Sequence, residues 1–217
     1  MTTTETLLTY KGVPVPAVTG WSVEREMTPA VVPRGFGIGF ADPMLDARAR
    51  DPWKVLWRMW TLGRGKGEPE FAAVHPLRQR RAALHMLCQV CDQPAHDEKL
   101  GALFVLGANS TSGTGPIQNL ELTSEPPIHP WCALEARARC PHLRKGYVAA
   151  RVESPVPWGV RGTVYDLTGS WPNPRPRLEN VSYAIDARRF VLADRVMIEL
   201  HGCRPVDLDA EARRAQS

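Results

Sequence analysis

Lysine is scarce in this chain, with five residues against 22 arginines. Alanine, proline, glycine and valine are abundant beside them, the pattern of a GC-rich coding genome, so arginine counts alone argue little about binding. The formal net charge of +4 is also spread thinly. Residues 1–70 hold 9 basic and 8 acidic side chains, 71–146 hold 8 and 6, and 147–217 hold 10 and 9. No segment has the strong basic excess of a surface that tracks phosphates.

Long apolar runs are missing as well. No window approaches the roughly 18 consecutive apolar residues of a membrane span, and the opening MTTTETLLTYKG has neither the positive nor the apolar region of a secretory signal. The expectation is a cytoplasmic protein with no membrane association. In that setting the five cysteines stay reduced, and clustered thiols read as metal ligands rather than as a disulfide framework.

Catalytic signatures are equally absent. There is no Gly-x-Ser-x-Gly elbow, no Walker loop and no His-Glu-x-x-His. RGFGIGF at 34–40 lacks the Gly-x-Gly-x-x-Gly spacing of a dinucleotide loop, and no helical pattern follows it at once. The sequence therefore points away from an enzyme.

What is present is an α+β pattern. Residues 1–40 are rich in Pro, Val and Gly and favour short strands and turns. Within 43–62, PWKVLWRMWTL sets Trp53, Trp57 and Trp60 at i, i+4 and i+7, which predicts a helix with a tryptophan stripe facing the core. A second helix over 75–87, HPLRQRRAALHML, is amphipathic. LGALFVLGA reads as a strand, GANSTSGTGPIQN as a loop and LELT as the returning strand of a hairpin. Further helices are expected over 130–140 and 187–200. YVAARVES and GVRGTVYDL read as two strands joined by a Pro-rich turn, GSWPNPRPRLEN as a loop and EARRAQS as a frayed end. These signals divide the chain into a strand- and turn-rich 1–70, a central module at 71–146 and an α+β region at 147–217, packed as one unit.

The chemistry concentrates in LCQVCDQPA, residues 87–95. Cys88 and Cys91 form a Cys-x-x-Cys pair, and a tetrahedral structural zinc needs two more ligands. The candidates lie in PPIHPWCALEARARCPHL, residues 126–143: His129, Cys132, Cys140 and His142. Cys132 and Cys140 are eight residues apart on one predicted helix, a rise of about 12 Å, whereas thiolates on one zinc lie within roughly 4 Å of each other. His129 and Cys132, three apart at the helix start, share one side of its first turn. The preferred ligand set for Zn2+ is Cys88, Cys91, His129 and Cys132, with Cys140 and His142 as the alternative pair.

This order of elements resembles the treble-clef zinc fold over residues 75–145: the Cys88-x-x-Cys91 knuckle, a hairpin from about Leu100 to Leu122, and a helix whose first turn carries His129-x-x-Cys132. The whole chain also resembles a group of actinobacterial proteins with a CQVC, a PP-x-H/C-x-x-C and a CPHL stretch; that likeness implies no activity. The treble clef implies several unrelated tasks. In its HNH-type nuclease form a strand histidine acts as general base, but GALFVLGAN has none, and only His96 and His142 lie nearby. The leading expectation is a non-enzymatic module with a structural zinc that binds nucleic acid through an arginine-rich edge: Arg78, Arg80 and Arg81 on one side, Arg137, Arg139, Arg144 and Lys145 on the other. The alternatives are a protein-interaction or assembly role and a divergent HNH-type nuclease.

Overall fold

The computed structural model describes residues 7–108, 115–167 and 177–215. Strands from all three stretches of the sequence build one seven-stranded sheet. Along the chain they are β1 (Leu56–Trp57), β2 (His96–Asp97), β3 (Gly101–Gly107), β4 (Glu121–Thr123), β5 (Tyr147–Val164), β6 (Arg177–Ser182) and β7 (Val191–Pro205). The order across the sheet is β4-β7-β5-β3-β2; β6 pairs with the distal half of β5, and β1 runs parallel to β7. Three two-stranded ribbons, two of them wholly within the first 40 residues, complete the strand content of the described residues. The described residues hold five α-helices: α1 (Pro43–Arg48), α2 (Pro76–Leu84), α3 (Pro130–Arg139), α4 (Pro141–Arg144) and α5 (Leu208–Arg214). None of the described helices is long and apolar enough to cross a membrane.

The sheet is buried on both faces, and β3 shows why. Its apolar run alternates between two cores: Ala102, Phe104 and Leu106 pack with Val152, Val160, Ile198 and Leu200, while Leu103 and Val105 pack with Cys88, Ile128, Ala133 and Leu208. A strand covered on both sides needs no polar face, so its sequence reads as a continuous hydrophobic run. The second of these cores carries the cysteine cluster.

Several expectations change. Helix over 43–62 is confined to α1, because Asp51-Pro52 disfavours helix and Lys54 turns the chain through a positive φ of 66°. The three tryptophans then part company: Trp53 stacks on Tyr183 at 4.2 Å, Trp57 enters β1 and donates its indole N–H to Asp51 at 2.9 Å, and Trp60 meets His75 edge-on. Residues 187–200 form the end of a short 3-10 turn and then β7, which has β5 on one edge and β4 and β1 on the other. Burial on both faces erased the alternation that marks a strand, leaving the mixed periodicity that reads as helix.

YVAARVES and GVRGTVYDL are one 18-residue strand, β5, with a register irregularity between Pro157 and Gly159. Pro155 and Pro157 lack N–H groups, and they stand where β5 has no partner on one edge, after β3 pairing ends at Val152 and before β6 pairing starts at Gly159. Finally, β3 and β4 do not form a hairpin, because β5 and β7 lie between them. The hairpin that follows Cys91 is the short β2–β3 pair. Residues 109–114 of the expected loop lie outside the described residues, as do 169–176 of GSWPNPRPRLEN, whose remainder, 177–180, belongs to β6. The C-terminal stretch forms α5, capped by Asp207.

Gln79 on α2 ties that helix to the sheet. Its buried side-chain amide accepts from Val196 N–H at 2.9 Å and donates to Val196 C=O at 3.1 Å and to Ser124 C=O at 2.7 Å. Beyond Thr123, where β4 ends, the side chain thus takes the place of a strand backbone against β7.

Candidate metal centre

Cys88 and Cys91 sit on a tight loop closed by a bridge between Leu87 and Pro94. Ala95 N–H bonds Met86 C=O, Cys88 N–H bonds Gln93 C=O, and Asp92 N–H bonds Cys88 C=O, all between 2.8 and 2.9 Å. Met86 and Asp92 adopt positive φ at either end, 49° and 62°. Asp is among the non-glycine residues that tolerate this conformation best; Asp92 is also held by an ion pair with Arg81.

The other two residues arrive on the PPIHPWC segment. Gln89 binds it twice, by its N–H to Pro127 C=O and by its side-chain amide to Pro126 C=O, both at 3.0 Å, and Ile128 N–H bonds Leu103 C=O on β3. His129 is the N-cap residue of α3 with Pro130 at the first helical position, the place where a missing N–H and a fixed φ suit a helix start. Cys132 then falls in the first turn. The helix ends at Cys140, whose backbone is extended because Pro141 follows.

The ligand atoms of Cys88, Cys91, His129 and Cys132 all lie within 4.8 Å of one another. In a tetrahedral zinc site with Zn–S of about 2.3 Å, sulfur atoms stand roughly 3.8 Å apart. The four donors therefore fit a metal ion. Cys88 is fully buried, the other three are partly covered, and apolar neighbours Val90, Val105, Ala133 and Leu208 surround them.

His129 settles its own orientation. Its Nε2 lies 2.8 Å from the Pro94 carbonyl, an oxygen that only accepts, so Nε2 carries a proton. Nδ1 then faces Cys91 Sγ at 3.2 Å and is the nitrogen available to a metal. A histidine ligand whose second nitrogen is fixed by a backbone carbonyl is the usual outer support of a zinc site. The His129 backbone N–H also points at Cys88 Sγ, 3.5 Å away.

Without an ion the cluster shares protons. Hydrogen bonds from Cys132 and then Cys91 hold the Cys88 thiol far below its ordinary pKa, and the same contact with Cys88, followed by that with Cys91, pushes Cys132 up. Hydrogen bonding to Cys88 and then Cys91 raises His129 to about 10. One thiolate is thus clasped by an imidazolium and a thiol, and an entering cation displaces those protons.

The remaining candidates separate. Cys140 and His142 are not part of the cluster, and among the described residues no second group of three or more His, Cys, Asp or Glu side chains gathers. Nor does His96, which stands exposed on β2. The arginine edge is largely committed. Arg78 binds Glu24 through both terminal nitrogens at 2.6 and 2.7 Å, Arg80 lies over the Trp57 ring at 4.6 Å, and Arg81 pairs with Asp92. Arg137 grips Asp209 bidentately at 2.8 Å, and Arg139 pairs with Glu135. Arg144 and Lys145 are exposed around α4. Of the predicted basic edge, Arg78, Arg81, Arg137 and Arg139 are thus paired with carboxylates.

Sequence reasoning missed the partners of Arg78 and Arg137, which lie 54 and 72 residues along the chain, and the Pro94 carbonyl that orients His129; a backbone group leaves no residue-type signal. Comparison with protein-family models, with curated proteins and with solved structures finds no match for this chain.

Proposed function

We propose that this protein is a non-enzymatic module in which a structural zinc at Cys88, Cys91, His129 and Cys132 clamps the knuckle and the start of α3 onto one face of the sheet. The observation that carries this reading is the donor set itself: three sulfurs and one oriented imidazole nitrogen within 4.8 Å. Four protein ligands close a tetrahedral site and leave no open position for a substrate or an activated water. The arrangement is treble-clef-like in its knuckle and in its two ligands at a helix start. It departs from that pattern in using the short β2–β3 hairpin where a longer one is expected.

The nuclease alternative has no support, because His96 and His142 do not join the metal ligands and β3 carries no histidine. The assembly reading is favoured over nucleic-acid binding by one observation: Arg78, Arg81 and Arg137 are neutralised by Glu24, Asp92 and Asp209. The zinc then serves stability while other surfaces meet a partner.

The test is chelation. Because a structural site's binding energy is folding energy, removing the metal under denaturing-free conditions with a strong chelator lowers the melting temperature, and restoring Zn2+ recovers it. An identical melt with and without chelator excludes the structural zinc.

A further inference from the structure

A second concave site lies apart from the cysteine cluster. It is a pocket of about 310 Å³ lined by Arg34, Phe36, Gly37, Ile38, Arg50, Lys54, Arg188 and Arg189. Five of these eight residues are cations, and no acidic residue is among them. They come from three separate stretches of chain. Arg34 and Phe36 belong to the glycine-rich hairpin RGFGIGF, Arg50 and Lys54 to the loop after α1, and Arg188 and Arg189 to the turn before β7.

The convergence is built. Gly37 lies so close to the Arg188–Arg189 segment that a Cβ there would stand 2.5 Å from Arg189 C=O. Gly35, at φ 56°, turns the hairpin tip, and Arg34 N–H bonds Gly37 C=O at 2.9 Å. Asp46, largely buried, accepts from Phe40 N–H at 2.9 Å and from Arg50 at 2.9 Å twice, and lies 3.8 Å from Arg34. Arg50 also binds the carbonyls of Ile38 and Lys54. Arg50 is thereby a fixed positive strut whose donors are committed.

Arg34 spends Nη1 on Phe40 C=O at 3.0 Å, while other lining side chains keep donors to spare. The side chain of Lys54, exposed on a residue held at positive φ, makes no hydrogen bond or ion pair among the described residues. Among the described residues the Arg189 side chain pairs only with Asp186, at 3.5 Å and 81% exposed; Arg188 shares that carboxylate and donates to Trp53 C=O at 3.3 Å and Ile185 C=O at 2.9 Å. Five cations are answered by two carboxylates, so the pocket is left positive and attracts an anion. Arginine forks and a lysine point charge are the groups that hold phosphate. Beside them Phe36 is 86% exposed at the hairpin tip, a flat apolar face next to a cationic cup. The volume suits a small ligand.

We propose that this pocket binds a nucleoside phosphate: Lys54, Arg188 and Arg189, with the uncommitted nitrogens of Arg34, take the phosphate oxygens, and the Phe36 ring covers the base. The site is independent of the zinc.

Titration calorimetry on the full chain at low salt tests this with ADP, inorganic pyrophosphate and adenosine. The expected result is saturable ADP binding that weakens steeply with added salt, no saturable binding of adenosine, and weaker binding of pyrophosphate. Lys54→Gln combined with Arg189→Gln lowers ADP affinity at least tenfold with an unchanged melt, since both side chains are exposed. Phe36→Ala lowers it at least fivefold and leaves pyrophosphate unaffected. Absence of saturable ADP binding, or salt-independent binding, overturns the proposal whether or not the variants fold. Pyrophosphate binding equal to ADP, with no effect of Phe36→Ala, overturns the nucleoside assignment.

Discussion

His129 Nε2 donates to the carbonyl of Pro94 at 2.8 Å, and the same ring presents Nδ1 to Cys91 Sγ at 3.2 Å. One backbone oxygen on the knuckle thus fixes which nitrogen of a helix-capping residue is offered to a metal ion. Nitrogen-15 NMR of the zinc-loaded protein checks this: His129 is expected as the Nε2–H tautomer with a metal-shifted Nδ1. A proton on Nδ1 in the loaded state contradicts it.

Loss of a ligand should be costly. Cys88→Ser removes the most buried donor, and because zinc affinity is folding free energy, the loss is expected to reach at least about 3 kcal/mol; at roughly 2–4 °C per kcal/mol for a chain of this size the melting temperature falls by about 6 °C or more. Cys140→Ser, at the far end of α3 and outside the cluster, leaves the melt within a degree or so.

Glu24 supplies a pH signature. Burial by itself raises its pKa, but hydrogen bonds from Arg78 and from the Gly63 N–H overcome that and hold the carboxyl below its ordinary value of 4.5. A carboxylate with a depressed folded pKa contributes stability that is present above the unfolded value and disappears as pH falls through the folded one. Stability should therefore drop below about pH 4.5, and Glu24→Gln should flatten that part of the acid profile. The variant also leaves the partly buried Arg78 without its counter-charge, at a cost of up to about 3–5 kcal/mol at neutral pH. Urea denaturation across pH reads both effects.

Gln79→Leu keeps the bulk of a buried side chain and removes the amide that pairs with Val196. Orphaning a buried N–H and a buried C=O costs roughly 1–3 kcal/mol each. A variant as stable as the parent in denaturant would show that the α2–β7 tie is not needed.

The cysteine cluster was legible because its spacing is local: Cys-x-x-Cys closes a turn, His-x-x-Cys opens a helix, and Pro130 and Pro141 bracket that helix. The same argument separated Cys140 from Cys132 along α3. What escaped is long-range. The partners of Arg78 and Arg137 lie 54 and 72 residues away, so two arginines that read as part of a basic edge in sequence are paired in space. β7 and the tryptophan segment were misread as helix for a related reason. A strand flanked on both edges and buried on both faces loses its alternation, and Trp53, Trp57 and Trp60 owe their spacing to three different neighbours. The pairing of β3 with β5 rather than β4 depends on which strand fits between them, which no local window contains.

The measurement that bears most directly on the central claim is zinc content per chain by elemental analysis of the native protein and of four variants. The account predicts one zinc in the native chain, retained in Cys140→Ser and lost in Cys88→Ser, His129→Ala and Cys132→Ser. A native protein without zinc, or one that keeps it after Cys132→Ser and loses it after Cys140→Ser, contradicts the proposed site.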